Sequence, residues 1–240
     1  EGFGDARITV LSDLGHAADE SRLDGRARDL LATSTAELSL LCIECSDAEG
    51  YSTIPGLPDD CFEHDGQLSK RPVRIAAVCA LAPKPGQVLW DVGAGAGSVG
   101  IEWARTDPRC RAIAVEHNAA RADAIERNVS RLGVPTTVRV VRGGAPEALA
   151  GLDSPDAIFV GGGGSREGVL GTCWDALRAG GRLVAHAVTL ETEALLVQWW
   201  KQRGGDLSRL SVEHATPIGT FTGWQSLRPV VQWSVVKGDQ

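Results

Sequence analysis

The chain has 240 residues, of which 43% are hydrophobic and 23% charged, and its formal net charge is -7. It can bury the core of one large domain, but it has neither an apolar run near the roughly 20 residues that span a bilayer nor a signal-peptide pattern. The negative charge disfavours a nucleic-acid partner, so we expect a cytoplasmic protein without nucleic-acid or membrane partners.

The first part of the chain predicts two strands around a charged segment. The stretch "RITVL" from Arg7 and the stretch "LSLLCIEC" over residues 38–45 have the apolar character of strands, and the charged residues 20–33 are compatible with a helix. We therefore expect a β-α-β piece, which is too short to cover its own faces. A stretch rich in Gly, Pro and Asp follows and predicts a linker.

The cysteines give a weak metal signal. Cys42 and Cys45 have the spacing of half a zinc site, but no second pair accompanies them. Residues three apart on a strand point to opposite faces, so the two thiolates cannot reach one metal. We expect ordinary buried thiols in a reducing compartment, and no metal.

From residue 70 onward, helical and strand patterns alternate. Helices are predicted over residues 70–82, 97–105, 118–132, 167–179 and 191–203, with at most a short helix in "PEALAG". Strands are predicted over residues 87–92, 111–116, 137–141, 156–160, 182–188, 207–214 and 228–236. This alternation predicts an α/β fold with a doubly wound, mostly parallel sheet of seven strands. Since no helix separates the last two strands, we expect them to be antiparallel neighbours.

The glycine-rich stretch "VLWDVGAGAGSVG" over residues 88–100 fits two nucleotide-binding patterns. From Asp91 it is D-x-G-x-G-x-G, typical of S-adenosylmethionine sites, and from Gly95 it is G-x-G-x-x-G, typical of dinucleotide sites. The second pattern places a charged residue and a glycine inside a central strand, and both are costly there. The first pattern ends the strand near Asp91, whose carboxylate can then fix the loop or meet a cationic ligand. We therefore favour S-adenosylmethionine.

An acid ends the next predicted strand. Glu116 stands where a carboxylate can accept both ribose hydroxyls of a nucleotide, although both cofactor types use such an acid. The glycine loop, Asp91 and Glu116 all fall at the carboxyl ends of parallel strands, where ligands of such sheets bind. A glycine-rich turn without a ligand is the alternative.

Four segments of the chain carry a family resemblance. The segments "DDCFEHDGQLSKRPVRIAAV", "VLWDVGAGAGSVGIEWA", "DAIFVGGGG" and "GRLVAHAVTLETEALL" resemble the decarboxylating precorrin methyltransferases of cobalamin biosynthesis. The resemblance implies that residues 57–240 form a class I, Rossmann-like domain that depends on S-adenosylmethionine. The resemblance also implies that this domain methylates carbon 15 of a precorrin and removes the carboxyl group of the acetate at carbon 12.

The resemblance also concerns the rest of the polypeptide and its assembly. It implies that residues 1–56 are a remnant of an N-terminal tetrapyrrole methylase domain plus a linker. The chain begins with Glu1 and contains no methionine, as expected for a piece of a longer protein. Related domains form homotetramers, so we expect a tetramer here.

Cofactor contacts follow from the resemblance position by position. They fall on Ser69, Gly93, Ala94, Gly95, Ala96, Gly97, Glu116 and Ala145, and the pattern of the glycine loop adds Asp91. Two departures stand out. The family often has an acid where Gly144 stands, so a side-chain contact to the adenine amine is lost. His186 stands where Asn is common, which leaves the role of that strand end open.

Other residues near the glycine loop are candidates for contacts with the substrate. Lys70 and Arg71, with Arg74, open a helix beside the glycine loop and suit a polycarboxylate, unless they form a solvated helix face. His64 is the candidate catalytic residue, with a loop-fixing role as the alternative. Gly162, within the run of glycines at 161–164, offers only backbone to a broad flat ring, unless the run is simply a flexible loop. Trp199 and Trp200 lie on a helix, so we place them in the core or an interface rather than against the ring.

Three functions remain open at this stage. The leading hypothesis is an S-adenosylmethionine-dependent C-methyltransferase and decarboxylase of a precorrin. A methyltransferase acting on RNA or protein is the second, and a non-catalytic module that binds S-adenosylmethionine is the third.

Overall fold

The computed structural model describes residues 3–30, 33–45 and 50–238. The chain divides into two compact units, Glu1–Ser52 and Thr53–Gln240. Within the described ranges, no helix has both the length and the apolar character needed to cross a membrane.

The first unit is a three-stranded antiparallel sheet. It contains β1 (Arg7–Ser12), β2 (Ser21–Arg26) and β3 (Ser39–Glu44) in the order β2-β1-β3. The strands predicted at both ends of this unit are confirmed, but the helix predicted over residues 20–33 is wrong. Its first part is β2, followed by one 3-10 turn at Ala27–Asp29, and residues 31 and 32 lie outside the described residues. Pairing along β1 outweighs the weak helix propensity of a segment interrupted by Gly25.

The prediction of buried cysteines holds for only part of the set. Cys110 and Cys173 are buried, whereas Cys42, Cys45 and Cys79 are exposed. Burial raises the pKa of the Cys173 thiol to about 12. All six residues of β3 are exposed, so its apolar character does not bury its thiols. In the ranges that the structure covers, no group of three or more His, Cys, Asp or Glu side chains is placed to hold a metal ion.

The second unit is a doubly wound α/β domain. Its elements are α1 (Arg71–Leu81), β4 (Val88–Val92), α2 (Ser98–Thr106), β5 (Arg111–Glu116), α3 (Ala119–Arg131), β6 (Val138–Arg142), β7 (Ala157–Val160), α4 (Val169–Ala176), β8 (Arg182–Ala187), α5 (Leu190–Arg203), β9 (Asp206–Leu210), β10 (Glu213–Ile218), β11 (Phe221–Ser226) and β12 (Val230–Val236). Seven strands form one sheet in the order β6-β5-β4-β7-β8-β12-β9. Only β12 runs against its neighbours. The predicted fold class is confirmed.

The end of the chain differs from the prediction. The two late strands are antiparallel neighbours, as predicted, but the first of them ends at Leu210 rather than at residue 214. Between them, β10 and β11 form a separate two-stranded hairpin that the sequence did not predict. Pro217, Gly219 and Gly223 lie within it, and these residue types weaken a strand pattern.

Both faces of the large sheet are buried. Leu89 and Phe159 pack toward α1 and α2, while Trp90 and Ile158 pack toward α4 and α5. On this second face, the Trp199 ring lies 6.0 Å from that of Trp233, so Trp199 belongs to the core, as expected. This two-sided packing fixes the strands and leaves their carboxyl ends as the place where loops can form a site.

Candidate active site

A cavity of about 930 Å³ opens at the carboxyl ends of the parallel strands. The loops after β4, β5 and β6 line one half of it, and the loops after β7 and β8 with the ends of β9 and β12 line the other. Eight predicted site residues lie on its wall: Ser69, Lys70, Gly93, Ala94, Gly95, Glu116, Ala145 and Gly162. Five others do not line it: His64, Arg71, Asp91, Ala96 and Gly97.

The glycine loop is tightly enclosed by backbone. Gly93 and Gly95 have φ values of +68° and +60°, which side chains rarely adopt. A Cβ on Gly93 would lie 2.4 Å from the carbonyl oxygen of Gly162, and one on Gly95 would lie 2.7 Å from that of Gln67. Gly93 and Ala94 also donate their N–H groups to the carbonyl of Val115. The loop therefore requires glycine and presents its backbone to the cavity.

Glu116 joins the loop to the next strand. Its side chain is nearly fully buried, and its Oε2 accepts from the N–H of Gly95 at 2.9 Å. Its Oε1 accepts from the N–H of Asn118 at 2.9 Å and lies 3.1 Å from Nδ1 of His117. A carboxylate has about four acceptor positions. Glu116 can thus hold the loop and still accept hydroxyl groups from a ligand.

Asp91 supports the glycine loop from the side that does not line the cavity. Its Oδ2 accepts from the N–H of Gly100 at 2.8 Å, while its Oδ1 has no partner among the described residues. Burial raises the pKa of this carboxyl to about 7, and the charge of Glu116 adds to the shift. Of the two roles predicted for Asp91, the geometry shows the loop-fixing one. Ala96 is buried and does not line the cavity either, and its carbonyl accepts from the side chain of Asn128.

The three basic residues predicted to act together at the start of α1 lie in different environments. Lys70 lines the cavity, Arg71 does not, and Arg74 is fully buried. The prediction that Arg74 binds an anion or faces solvent is therefore wrong. Arg74 lies on the buried face of the helix, because it precedes Ala77 by three residues, Val78 by four and Leu81 by seven. That spacing was the signal in the sequence that could have shown this.

Arg74 instead organises the segment that precedes α1. Its Nε donates to Glu102 at 2.7 Å, and its guanidinium also donates to Asp59 and to the carbonyls of Leu57 and Ser69. Glu102 in turn accepts from the N–H groups of Gly56 and Leu57. The network therefore holds the backbone of Ser69 at the cavity.

His64 makes a local contact rather than a catalytic one. It is exposed, it does not line the cavity, and its Nδ1 accepts from the N–H of Gly66 at 3.0 Å. Asp65, in the same loop, forms an ion pair with Arg121 of α3. The observed contacts are those of the loop-fixing alternative.

His186 lies on the wall of the other half of the cavity. Its ring is nearly fully buried, its Nε2 donates to Oε1 of Gln232 at 2.9 Å, and it meets the Phe159 ring edge-on at 4.9 Å. Burial lowers the pKa of His186 to about 4, although the hydrogen bond to Gln232 opposes this. The imidazole is therefore uncharged at neutral pH.

Arg166 is a cavity residue that the sequence analysis missed. From the loop after β7, its Nη1 donates to the carbonyl of Ala145 at 2.9 Å and its Nη2 to Glu147 at 3.0 Å. A Cβ on Gly144 would lie 2.8 Å from this Nη1, so the arginine lies beside the position where the family often has an acid. No sequence signal connects residue 166 with residues 144–147, because the contact is purely tertiary.

The strand order, with β12 inserted antiparallel beside β8, is that of class I S-adenosylmethionine-dependent methyltransferases, and the glycine loop and Glu116 occupy the corresponding strand ends. Within this class, the chain belongs to the precorrin methyltransferase domain family, which matches residues 60–237.

Individual relatives agree with this assignment. A precorrin-6Y C(5,15)-methyltransferase [decarboxylating] of Sinorhizobium sp is 48% identical over 240 residues, which cover 99% of this chain and 58% of the relative. A probable cobalt-precorrin-6B C(15)-methyltransferase (decarboxylating) of Pyrobaculum calidifontis is 36% identical, and the match covers 75% of this chain and 94% of the relative. The crystal structure of the C-terminal domain of precorrin-6Y C5,15-methyltransferase from Rhodobacter capsulatus is 43% identical with a TM-score of 0.74, covering 78% of this chain and all of that domain.

Proposed function

We propose that this chain methylates carbon 15 of a precorrin with S-adenosylmethionine and removes the carboxyl group of the acetate at carbon 12. The observation that carries the proposal is the division of one cavity into two halves. One half has a backbone cradle and a buried acid suited to a nucleoside, and the other has a largely apolar wall suited to a flat ring. The names of the relatives, which are C(5,15)- and C(15)-methyltransferases (decarboxylating), support the same reaction.

The hydrogen-bonding groups in the cofactor half of the cavity suit S-adenosylmethionine. The loop at Gly93 and Gly95 allows a ligand to approach the backbone closely, and Glu116 has acceptor capacity left for ribose hydroxyls. Ala145 offers its backbone to the adenine, and Ser69 brings a hydroxyl to the same wall. When bound, the cofactor supplies an activated methyl group on its sulfonium.

The substrate half contributes orientation and exclusion of water. The backbone of Gly161 to Gly163 and the rings of Phe159 and His186 provide a surface without a charged side chain, against which a macrocycle can lie flat. Holding an electron-rich ring carbon in line with a methyl donor supplies much of the rate enhancement of such a transfer. As carbon dioxide leaves, the electron pair of the acetate flows into the conjugated ring system, and the uncharged wall shields that ring from solvent.

The chain spans 58% of the length of the Sinorhizobium relative. We propose that residues 1–56 are the remnant of the preceding methylase domain and its linker, and that methylation of carbon 5 belongs to that domain. The present chain should then act at carbon 15 alone. We also propose that it assembles into a homotetramer.

A direct assay tests the function. The chain is incubated with S-adenosylmethionine and precorrin-6Y, metal-free or carrying cobalt, and the product is examined by mass spectrometry. We expect a product that is heavier by one methyl group and lighter by carbon dioxide. Transfer of a labelled methyl group to RNA or protein would instead support the second hypothesis, and cofactor binding without any transfer would support the third.

A binding experiment tests the cofactor separately. Calorimetric titrations with S-adenosylhomocysteine and with NAD should show saturable binding of the first only. Saturable NAD binding without a response to S-adenosylhomocysteine would contradict the assignment of the glycine loop.

A further inference from the structure

The basic side chains on the cavity wall differ in whether they already pair with a carboxylate of the chain. Four lysine and arginine side chains line the cavity: Lys70, Arg121, Arg166 and Arg228. The first three each lie beside a carboxylate of the chain, at 3.7 Å from Asp59, 2.8 Å from Asp65 and 3.0 Å from Glu147, respectively. Arg228 makes no ion pair or side-chain hydrogen bond with any residue in the described ranges. It therefore offers a full positive charge to a ligand, and no existing contact has to break first.

Arg228 also lies over the half of the cavity that is distant from the cofactor loop. It precedes β12, and two strands, β7 and β8, separate β12 from β4 in the sheet. Three strand spacings correspond to about 14 Å between Arg228 and the glycine loop. An anion held by Arg228 would thus lie well away from a methyl donor at that loop, as expected for the periphery of a macrocycle.

The surroundings of Arg228 are apolar. Leu210, Val212, Leu227 and Val230 line the cavity beside it. Arg228 itself is exposed, so solvent screens it until a bound ring covers the site, and the apolar side chains beside it then lower the local dielectric constant and strengthen an ion pair. A guanidinium also presents a planar fork that matches both oxygens of a carboxylate.

We propose that Arg228 binds a peripheral carboxylate of the tetrapyrrole, and specifically one that the product retains. The proposal rests on the proposed function, which supplies a polycarboxylate substrate. A carboxylate in an ion pair is stabilised before the reaction, and this contact is lost when carbon dioxide leaves, so pairing would raise the barrier to decarboxylation. The acetate that is lost should therefore lie along the uncharged wall near His186 and Phe159. Arg228 is then a specificity-determining residue that orients the ring.

The test compares three variants of the full chain. Arg228→Gln removes the charge, and Arg228→Lys keeps the charge without the fork. Arg139→Gln is the matched control, because Arg139 is exposed, its side chain pairs with none of the residues that the structure describes, and it does not line the cavity. For each variant, the Kd of the precorrin is measured by its absorbance change, the Kd of S-adenosylhomocysteine by calorimetry, and methyl transfer and carbon dioxide release by turnover assays.

We expect Arg228→Gln to raise both the Kd and the KM of the precorrin roughly 10-fold, the size of one lost charge-assisted contact. Arg228→Lys should recover part of this loss, and Arg139→Gln should match the wild type. The affinity for S-adenosylhomocysteine should not change, and the ratio of methyl transfer to carbon dioxide release should stay at one. The effect of Arg228→Gln should shrink at high salt, because screening weakens the wild-type contact as well.

Several results would overturn the proposal. Normal precorrin binding by Arg228→Gln would show that the arginine does not contact the substrate. Carbon dioxide release that falls while methyl transfer persists would assign Arg228 to the leaving carboxylate. Failure of the wild type itself to bind or convert any precorrin would instead reject the proposed function, so the two failures can be distinguished.

Discussion

The N–H of Gly95 donates to Oε2 of Glu116 at 2.9 Å, which ties the glycine loop after β4 to the acid at the end of β5. One side chain thus supports the cradle and presents acceptors to the cavity. Substitution at either residue should therefore affect both loop geometry and ligand binding.

Glu116→Gln should weaken the binding of S-adenosylhomocysteine by about 1–3 kcal/mol, the scale of hydrogen bonds to a charged group. The amide keeps one acceptor oxygen, so the fold should survive. Calorimetric titration measures the loss, and Glu191→Gln, an exposed change on α5, serves as the control. An unchanged Kd would show that Glu116 is not the ribose partner.

Gly93→Ala should destabilise the protein more than an ordinary substitution at positive φ. Gly93 and Gly180 have φ values of +68° and +73°, and alanine costs about 1–2 kcal/mol in that region. A Cβ on Gly93 would also meet the Gly162 carbonyl, whereas one on Gly180 would meet no atom within 4 Å. Urea denaturation should therefore show a larger loss for Gly93→Ala than for Gly180→Ala. Equal losses would show that the loop at Gly162 can move away from residue 93 without a cost in free energy.

The Asp91 carboxyl should make stability depend on pH. Because burial raises its pKa to about 7, the folded state retains a proton that the unfolded state releases near pH 4. The free energy of unfolding should therefore fall between about pH 4 and pH 7 and then level off. Asp91→Asn should remove this contribution, which is on the order of a few kcal/mol.

Urea denaturation of the wild type and Asp91→Asn at several pH values isolates this effect by difference. The exposed Asp153→Asn serves as the control and should track the wild type. A difference between the wild type and Asp91→Asn that does not change with pH would contradict the raised pKa.

Arg74→Ala should cost about 3–5 kcal/mol, because it leaves the buried carboxylate of Glu102 without its cation. Arg178→Ala removes a half-exposed arginine that pairs with Asp156, and it should cost about 1 kcal/mol or less. Equilibrium denaturation compares the two. Similar small losses would show that the Arg74 network does not hold the segment before α1.

The proposed tetramer should depend on the hairpin of β10 and β11. Ile218, Phe221 and Trp224 are 61%, 78% and 73% exposed there, and large apolar groups exposed together often mark an interface. We expect light scattering to show a tetramer at micromolar concentration and a smaller species for Trp224→Ser. Leu190→Ser, a similar change at an exposed residue of α5, should leave the mass unchanged. A monomeric wild type would reject the proposal.

Local patterns were enough to predict the class of fold and the position of its site. The strands at 87–92 and 111–116 correspond to β4 and β5, which bring the glycine loop and Glu116 to one edge. Their buried residues are apolar except for Asp91 near the end of β4 and Glu116 at the end of β5, and glycines follow β4. Such signals span only a few residues, so they can be recognised without knowledge of the fold. The helix predicted at 20–33 had no comparable periodic pattern, and strand pairing decided that segment.

The sequence by itself therefore determined the sheet, the glycine loop and the family, because each depends on periodicity or on a short motif. Only the tertiary structure decided which charges face the cavity. It buried Arg74 against Glu102, brought Arg166 to Ala145, and left Arg228, just before β12, without a side-chain partner in the part of the chain that the structure describes. These contacts join residues that are far apart in the chain, so no local pattern encodes them. The physical reason is that the availability of a charge depends on what packs against it, which is known only after the chain has folded.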